Sequence, residues 1–540
     1  MYTEKGIVYT KECIASFILD LVGYKTDCDL LNYKLLEPSF GMGDFLLPAI
    51  NRLLARAQND SVVDVNQLSG CIRAYELNLK SFRNVASKVT SILKEHGFSP
   101  YDVQHLVSCW LHQGDFLQSD LKPEFTHVVG NPPYIRQELI PDRLMDLYRK
   151  RYKTIYDRAD IYIPFYEHAL SALLYGGTLG YICSDRWTKN RYGSKLRDFV
   201  SRSFHLKYFI DMYNIDAFHS EVGAYTAITV IRRFTGDNTT QVVHSSDIDL
   251  DHLNELSTIL HAKSHHPSIH LMESVAKGDS PWLLQCDKTN TLLKRIESSF
   301  PKLEDVGCKV GIGVATGNNK VFFVKLDAVE IERDRLLPVI KAEDIATGKL
   351  QWPHTYVVNP FKDDASGLVD LGCYPLLKQY FMRYKEELSS RHVSQKNHNA
   401  WYRTIDKIDA RKLNVPKLLI PDIKNDPVIV YDAGEYYPNN SLYYITSTDW
   451  NLFALRAVLL SGIAKLFLQS YSTKIGGGYI RYQAQYLRRI CIPKWSDVPA
   501  KVQARLIEAG RGDLSDATSI VYKLYDLTPD EIKLIESMEV

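Results

Sequence analysis

Apolar residues recur along the first 235 positions in two alternating rhythms. TKECIASFILDLV carries Ile14, Phe17, Ile18 and Leu21 on one face at helical spacing. YKLLEPS predicts a strand and GDFLLPAINRLLARAQ the helix after it. CIRAYELN predicts a strand, and LKSFRNVASKVTSILKEHG an amphipathic helix closed by Gly97. SCWLHQGDF, FTHVVGN, GTLGYICSD, LKYFIDMY and AYTAITVIRRF predict further strands. Helices are predicted over ADIYIPFYEHALSALLYGG and GSKLRDFVSRSF. Such alternation implies an α/β fold, a largely parallel sheet with helices on both faces. Sheets of this kind take ligands beyond the carboxyl ends of their strands.

The rhythm changes near residues 236–275. TGDNTTQ, the acidic SSDIDLDHLNE and HAKSHHPSIH read as a connector. Its histidines (His261, His265, His266, His270) invite a metal reading, but no acid or cysteine completes a ligand set. Beyond it, short strands (KVFFVK, KLLIPD, PVIVYD, SLYYIT) mix with helices over LFALRAVLLSGIAKLFLQSY and near PDEIKLIESM. The expected division is a catalytic domain over 1–240, a linker over 241–275 and an α+β domain over 276–540.

Composition narrows the class. A chain of 540 residues has room for two to four domains, and 45% hydrophobic content supplies their cores. The formal net charge of +1 announces no polyanion partner, although local patches matter more than totals. Nine cysteines stand singly, with no CxxC pair, and read as reduced thiols of a cytoplasmic protein. The start lacks a signal-peptide core, and no apolar run reaches the roughly 18 residues of a membrane span.

Four successive strand ends carry polar groups. In LLEPSFGMGDFLL, Gly41 and Gly43 open a strand-to-helix turn that lets a ligand approach the backbone. A dinucleotide fingerprint would place a third glycine near Leu46, so a nucleoside cofactor without pyrophosphate fits better. Glu76 ends the next strand, where an acid can accept ribose hydroxyls; alone, it would pass for a surface glutamate. Asp115 in GDF can accept from an adenine amino group, or simply cap a helix. Last comes VVGNPPYIRQE, with Asn131, Pro132, Pro133 and Tyr134. Alone it reads as a rigid proline turn, but the ordered series is far less ordinary than any one member.

This series resembles the class I S-adenosylmethionine-dependent methyltransferases. The specific resemblance is to DNA adenine-N6 methyltransferases of the gamma arrangement, the TaqI-like and Eco57I-like type II modification methylases. GIVYTKECIASFIL matches the motif before the first strand, with Thr10 at its cofactor contact. LLEPSFGMG matches the cofactor loop, with Glu37 for the usual acid and Ser39 beside it. Glu76, GDF and NPPY match the following three motifs, and Asn131 also borders the cofactor. GGTLGYICSDRWTKNRYGSKLRDFV matches a late-strand block, and DAFHSEVGAYTAITVI the block that supplies a second aromatic, here Phe218. The resemblance implies a Rossmann-like methyltransferase sheet followed by a C-terminal α+β target-recognition domain.

The loop chemistry follows from the residues. Adenine's exocyclic amine is a poor nucleophile, because its lone pair is delocalised into the ring. Two fixed acceptors, the Asn131 side-chain oxygen and the Pro132 carbonyl, let that nitrogen become tetrahedral as it attacks. Two prolines stiffen the acceptors' backbone. Tyr134 offers a stacking face worth about 1–3 kcal/mol, against a few kcal/mol for extruding a base. Phe218 would cover another face, and no metal is required.

The second domain should hold double-stranded DNA. Residues 381–424 carry ten Lys and Arg against five Asp and Glu, with Trp401, Tyr402 and Arg403 among them. TKIGGGYIRYQAQYLRRI adds three glycines beside Arg481, Arg488 and Arg489. Trp401, Arg403, Arg481 and Arg488 are therefore the candidate DNA contacts, with a solvated basic face as the bland alternative. VATGNNKVFFV and VPKLLIPDI resemble recognition-domain blocks of the same family. Asp422 and Lys424 with Asp406 or Asp409 also suggest a nuclease motif, but the segment reads better as a buried strand. The motif series starts almost at residue 1, so the expectation is a stand-alone modification enzyme of a bacterial restriction–modification or phage-defence system, with a cognate restriction endonuclease as partner. Rival readings are an RNA-adenine or protein-glutamine methyltransferase and a non-catalytic DNA-binding subunit. A glutamine enzyme would be short, without some 270 residues at the C-terminus.

Overall fold

A computed structural model of the chain describes residues 8–58, 64–220, 225–236, 239–262, 266–284, 287–395, 397–424, 428–472, 480–512 and 517–538. They fall into two units, Met1–Asp287 and Lys288–Val540.

The first unit is built on β1 (Leu35–Glu37), β2 (Ile72–Glu76), β3 (Leu111–Gln113), β4 (Phe125–Gly130), β5 (Leu173–Ser184), β6 (His205–Asp211), β7 (Thr226–Arg232), β8 (Thr239–Val243) and β9 (His270–Glu273). They form one sheet in the order β3-β2-β1-β4-β5-β7-β6-β8-β9. From β3 to β5 every neighbour is parallel. β7 runs against both β5 and β6, and β9 against β8. Its helices are α1 (Glu12–Val22), α2 (Leu46–Ala57), α3 (Val65–Ser69), α4 (Leu79–Glu95), α5 (Pro100–Trp110), α6 (Asp142–Arg151), α7 (Tyr162–Ser171), α8 (Ser194–Ser203) and α9 (Leu253–Ala262).

Strand period sorts the core into two layers. Leu35, Val129 and Ile182 join the cluster formed with α1, α2, α4, α5 and α9. Their neighbours Leu36, Val128, Tyr181 and Cys183 join the cluster of α6, α7 and α8 on the other face. Burial on both faces explains why these strands read as continuous apolar runs.

Three expectations need correction. The segment 241–275 is not a linker: β8 and β9 extend the sheet, and α9 packs Leu253, Leu256 and Leu260 into the core beside α1. Its acidic residues occupy exposed positions, which masked the apolar spacing. His265 lies outside the described residues. Of its neighbours, His261 contacts the Asp20 carbonyl at 2.9 Å and His270 lies 3.9 Å from Asp247. Among the described residues no group of three His, Cys, Asp or Glu side chains is arranged to hold a metal. The long helix read through LFALRAVLLSGIAKLFLQSY is two helices, Leu452–Leu459 and Gly462–Tyr471, bent by 60°. Ser461 caps the second by accepting from the Ile463 N–H. Finally, α5 and α6 lie where no helix was expected. α5 starts with Pro100 behind a Ser99 cap, and its half-exposed surface has a weak apolar stripe.

The second unit carries two four-stranded sheets. One joins Cys308–Ile312, Leu442–Ser447, Lys417–Pro421 and Val430–Asp432, antiparallel throughout. The other joins Phe323–Lys325, Thr355–Val358, Leu336–Ile340 and Tyr437–Pro438. Lys417 and Asp432 form a fully buried ion pair at 3.1 Å in the first.

Candidate active site

The carboxyl ends of β1, β2, β3 and β4 open into one cavity of about 970 Å³, counted out to its mouth. Eight of the expected residues meet there. Thr10, Glu37, Ser39, Gly41, Glu76, Asp115, Asn131 and Pro132 all line it. Gly43 shapes the turn without facing the cavity. It has φ +91°, and a Cβ there would meet the Leu47 side chain at 2.9 Å. Gly41, at φ +52°, turns its N–H onto Glu76 Oε2 at 2.8 Å.

Glu76 is thereby fixed. Its other oxygen accepts from the Asn78 N–H at 2.7 Å, the two N–H groups partly offsetting the upward push of burial on its pKa. Asp115 takes the capping role, the plainer of the two expected of it. Its carboxylate caps the short turn Phe116–Gln118 through the Leu117 N–H and also faces the cavity. Tyr148 of α6 donates to its second oxygen at 2.6 Å. Glu37 is the outlier. It is 1% exposed, and its Oε2 accepts no hydrogen bond among the described residues. Burial, then the charges of Asp44 and Glu76, drive its pKa well above the usual carboxylate range.

The NPPY loop leaves β4 at Gly130. Asn131 Nδ2 donates to the Val8 carbonyl at 3.0 Å and to Thr10 Oγ1 at 3.2 Å. A carbonyl can only accept, so the Val8 contact fixes which end of the amide is nitrogen. The Asn131 oxygen is left buried, without a partner among the described residues. Ser39 Oγ donates to the Asn131 main-chain carbonyl at 3.3 Å and ties the loop to the β1 turn.

The aromatic expectations fare differently. Tyr134 is half-buried, anchored by its hydroxyl on the Ile182 carbonyl at 3.4 Å, and is not among the residues that line the cavity. Phe218 is 9% exposed, pairs with Thr10 in an isolated antiparallel bridge, and packs in the core. It too stands beside the cavity rather than on it. Sequence reasoning missed Val8, Asp44 and Tyr148. The aspartate in GMGD was visible, but its partner, the Thr10 N–H at 2.8 Å, lies 34 positions away.

In the second unit the four candidate DNA contacts are engaged internally. Trp401 packs against Phe381 and Tyr402. The Arg403 guanidinium donates to the Thr404 and Ile405 carbonyls. Arg481 pairs with Asp422, the carboxylate on which the nuclease reading rested. Arg488 pairs with Glu304 at 3.0 Å and donates to the Val310 carbonyl. The three-glycine loop falls within residues 473–479, outside the described residues. Arg488 does border a second cavity of about 1350 Å³, with Lys309, Lys407 and Lys412 around it. These three lysines are exposed and make no ion pair among the described residues.

Strand order and an acid-bordered cavity at the carboxyl edge define the first unit as a Rossmann-like methyltransferase domain. Its likeness in fold extends to the solved structure of the type IIL restriction-modification enzyme MmeI in complex with DNA, at TM-score 0.59 and 12% identity, over 98% of this chain and 75% of that one. The Eco57I restriction-modification methylase family matches residues 57–218, and the TaqI-like C-terminal specificity domain matches residues 337–492. The type II methyltransferase M.PaeR7I of Pseudomonas aeruginosa is 48% identical, over 98% of this chain and 92% of that protein. M.XhoI of Xanthomonas vasicola is 43% identical over the full length of both. The chain belongs to this family, the type II DNA methyltransferases of restriction–modification systems.

Proposed function

We propose that this enzyme methylates the N6 amino group of an adenine extruded from duplex DNA, with S-adenosylmethionine as donor. The observation that carries the reading is the Asn131 amide. Its nitrogen is spent on Val8 and Thr10, and its oxygen is buried, without a partner among the described residues, and set on a proline-stiffened loop. An acceptor held so requires no reorganisation when an amine arrives. The Pro132 carbonyl, beside it on the cavity wall, is the second acceptor.

The cavity suits this cofactor on its own chemistry. Three acids, Glu37, Asp44 and Glu76, border it, and Glu37 has a buried oxygen without a partner among the described residues and a pKa pushed up by burial and then by the charges of Asp44 and Glu76. Such a site favours a ligand carrying positive charge. Bound there, S-adenosylmethionine supplies a methyl group on cationic sulfur. Glu76 stands where an acid receives a ribose, and Asp115 Oδ1, with a single donor among the described residues, retains room for an adenine amino group. Thr10, Ser39, Gly41 and Asn131 complete the wall.

For DNA, the exposed Lys309, Lys407 and Lys412 are better placed to meet phosphates than the internally paired arginines. Replacing all three by alanine should weaken binding of duplex at low salt and flatten its salt dependence, by about 0.9 in slope for each phosphate no longer neutralised.

The test is incubation of the enzyme with labelled cofactor and unmodified duplex DNA, RNA or protein extract, followed by nucleoside and amino-acid analysis. N6-methyladenine in DNA is expected. Label on RNA, on glutamine or on another base would overturn the reading, and DNA binding without label would mark a non-catalytic subunit.

A further inference from the structure

Asp44 follows the second glycine of the β1–α2 turn, where a carboxylate would ordinarily cap the helix it precedes. It does not cap. α2 begins with no side-chain cap at its N-terminus, and Asp44 Oδ2 instead accepts from the Thr10 main-chain N–H at 2.8 Å. That bond fixes the backbone just before α1. Val8 and Thr10 in turn supply both acceptors of Asn131 Nδ2. The Phe218 bridge holds Thr10 from the opposite edge, and the His219 N–H donates to the Tyr9 carbonyl at 3.0 Å. The segment 8–10 is thus a strap, pinned at Asp44 and at Phe218, that decides which way the Asn131 amide faces.

We propose that Asp44 is a positioning residue for methyl transfer: its carboxylate pins the strap at Thr10, and the strap aims the Asn131 oxygen at the target amine. This rests on the proposed adenine methylation. Without the pin, residues 8–10 can shift, and both acceptors of Nδ2 shift with them. A displacement near 1 Å at a catalytic group can cost about 10²-fold in rate. The effect falls on transfer, because the strap orients the acceptor of the target amine. Cofactor affinity changes less, since Glu76 keeps the Gly41 and Asn78 N–H groups and Asp115 keeps Leu117 and Tyr148.

The experiment is single-turnover methyl transfer by the full chain at saturating S-adenosylmethionine on unmodified bacterial genomic DNA, with cofactor Kd measured in parallel. Asp44→Ala should slow transfer by about 10- to 100-fold while Kd rises by less than the rate falls. Asp44→Asn retains an acceptor and should restore transfer to within a few-fold of wild type. Thr10→Val keeps the main-chain bond to Asp44 but removes one acceptor of Asn131, and should slow transfer several-fold. It also keeps the proposal falsifiable if Asp44→Ala does not fold, because an unchanged Thr10→Val rate would break the chain of contacts. A folded Asp44→Ala enzyme with wild-type rate, or an Asp44→Asn enzyme as slow as alanine, would overturn the role. Wild-type product lacking N6-methyladenine would instead overturn the activity reading.

Discussion

Asn131 shows how one amide is made into a tool. With its nitrogen held by a carbonyl and a hydroxyl, its oxygen is left for the proposed grip on the target amine. Asn131→Ala is expected to lower single-turnover transfer by about 10²-fold or more, with cofactor affinity nearly unchanged. A variant with near-normal turnover would refute the loop assignment. Glu37 gives a second expectation, with a sign. Its raised pKa means the free enzyme holds a proton there at pH values where an ordinary glutamate has lost it. A cationic cofactor favours the ionised form, so binding should release protons and tighten as pH rises through that pKa. Calorimetry in buffers of different ionisation enthalpy reads the release directly, and Glu37→Gln should abolish it while weakening binding by about 10-fold or more. Glu76, Asp115 and Asn131 were legible because each ends or closely follows a strand that local apolar pattern defines, and Glu37 was legible only through the family resemblance. Val8 and Asp44 were not, since their roles exist only through bonds spanning 123 and 34 positions. The placement of Tyr134 and Phe218 beside the cavity was equally hidden, because motif matching fixes neither where a ring points nor what anchors it.

Elements with a strong period were read well. β1, β2, β4, β5, β6 and β7 lie within the segments expected as strands or overlap them, and α4 ends at Gly97 in the left-handed region. Failures came where charge hid periodicity, as in α9, where a strand was short and polar, as in β8, or where sequence continuity hid a corner, as at Ser461. There Gly462 is required by packing: a Cβ would lie 2.4 Å from both Ile535 and Tyr522 side-chain atoms. KLLIPD was expected as a buried strand, and Lys417–Pro421 is buried throughout. What the pattern did not show is that its lysine pairs with Asp432 in the interior. Removing one member strands the other charge, so Asp432→Ala should cost about 3–5 kcal/mol, whereas replacing both with apolar residues should recover most of that. Urea unfolding of the single and double variants checks the asymmetry.

For the molecule, the division at Asp287 changes where a cut is tolerable. A fragment ending at residue 240 would sever β8 after two residues and omit α9 and β9, whereas one ending at residue 287 retains the sheet. The longer fragment is expected to bind cofactor and lose DNA sequence preference, and the shorter to fail to fold. Circular dichroism and cofactor binding distinguish them. Acid stability belongs to this scale too. Burial lowers His127 and His168 to about 4 from the ordinary 6.5. The unfolded chain then binds the protons more readily between those values, so stability falls as pH drops from about 6.5 towards 4, by up to about 3 kcal/mol for each ring. Buried acids such as Glu37 act in the opposite sense, so the check is by difference: a His127→Gln/His168→Gln variant whose Tm changes between pH 7 and pH 5 just as the wild type's does would contradict it. The sheet order carries one more consequence. Of these nine strands β1 leaves the ribosome first, yet it pairs on one side with β2 and on the other with β4, so a nascent chain grows this sheet outward from β1, with β7 alone inserting between two strands already made, β5 and β6. All nine strands have been synthesised by residue 273, before any of the Lys288–Val540 unit exists. Translation therefore gives the methylating half a head start, and stalled-chain proteolysis should find it protected while the other half is still being made.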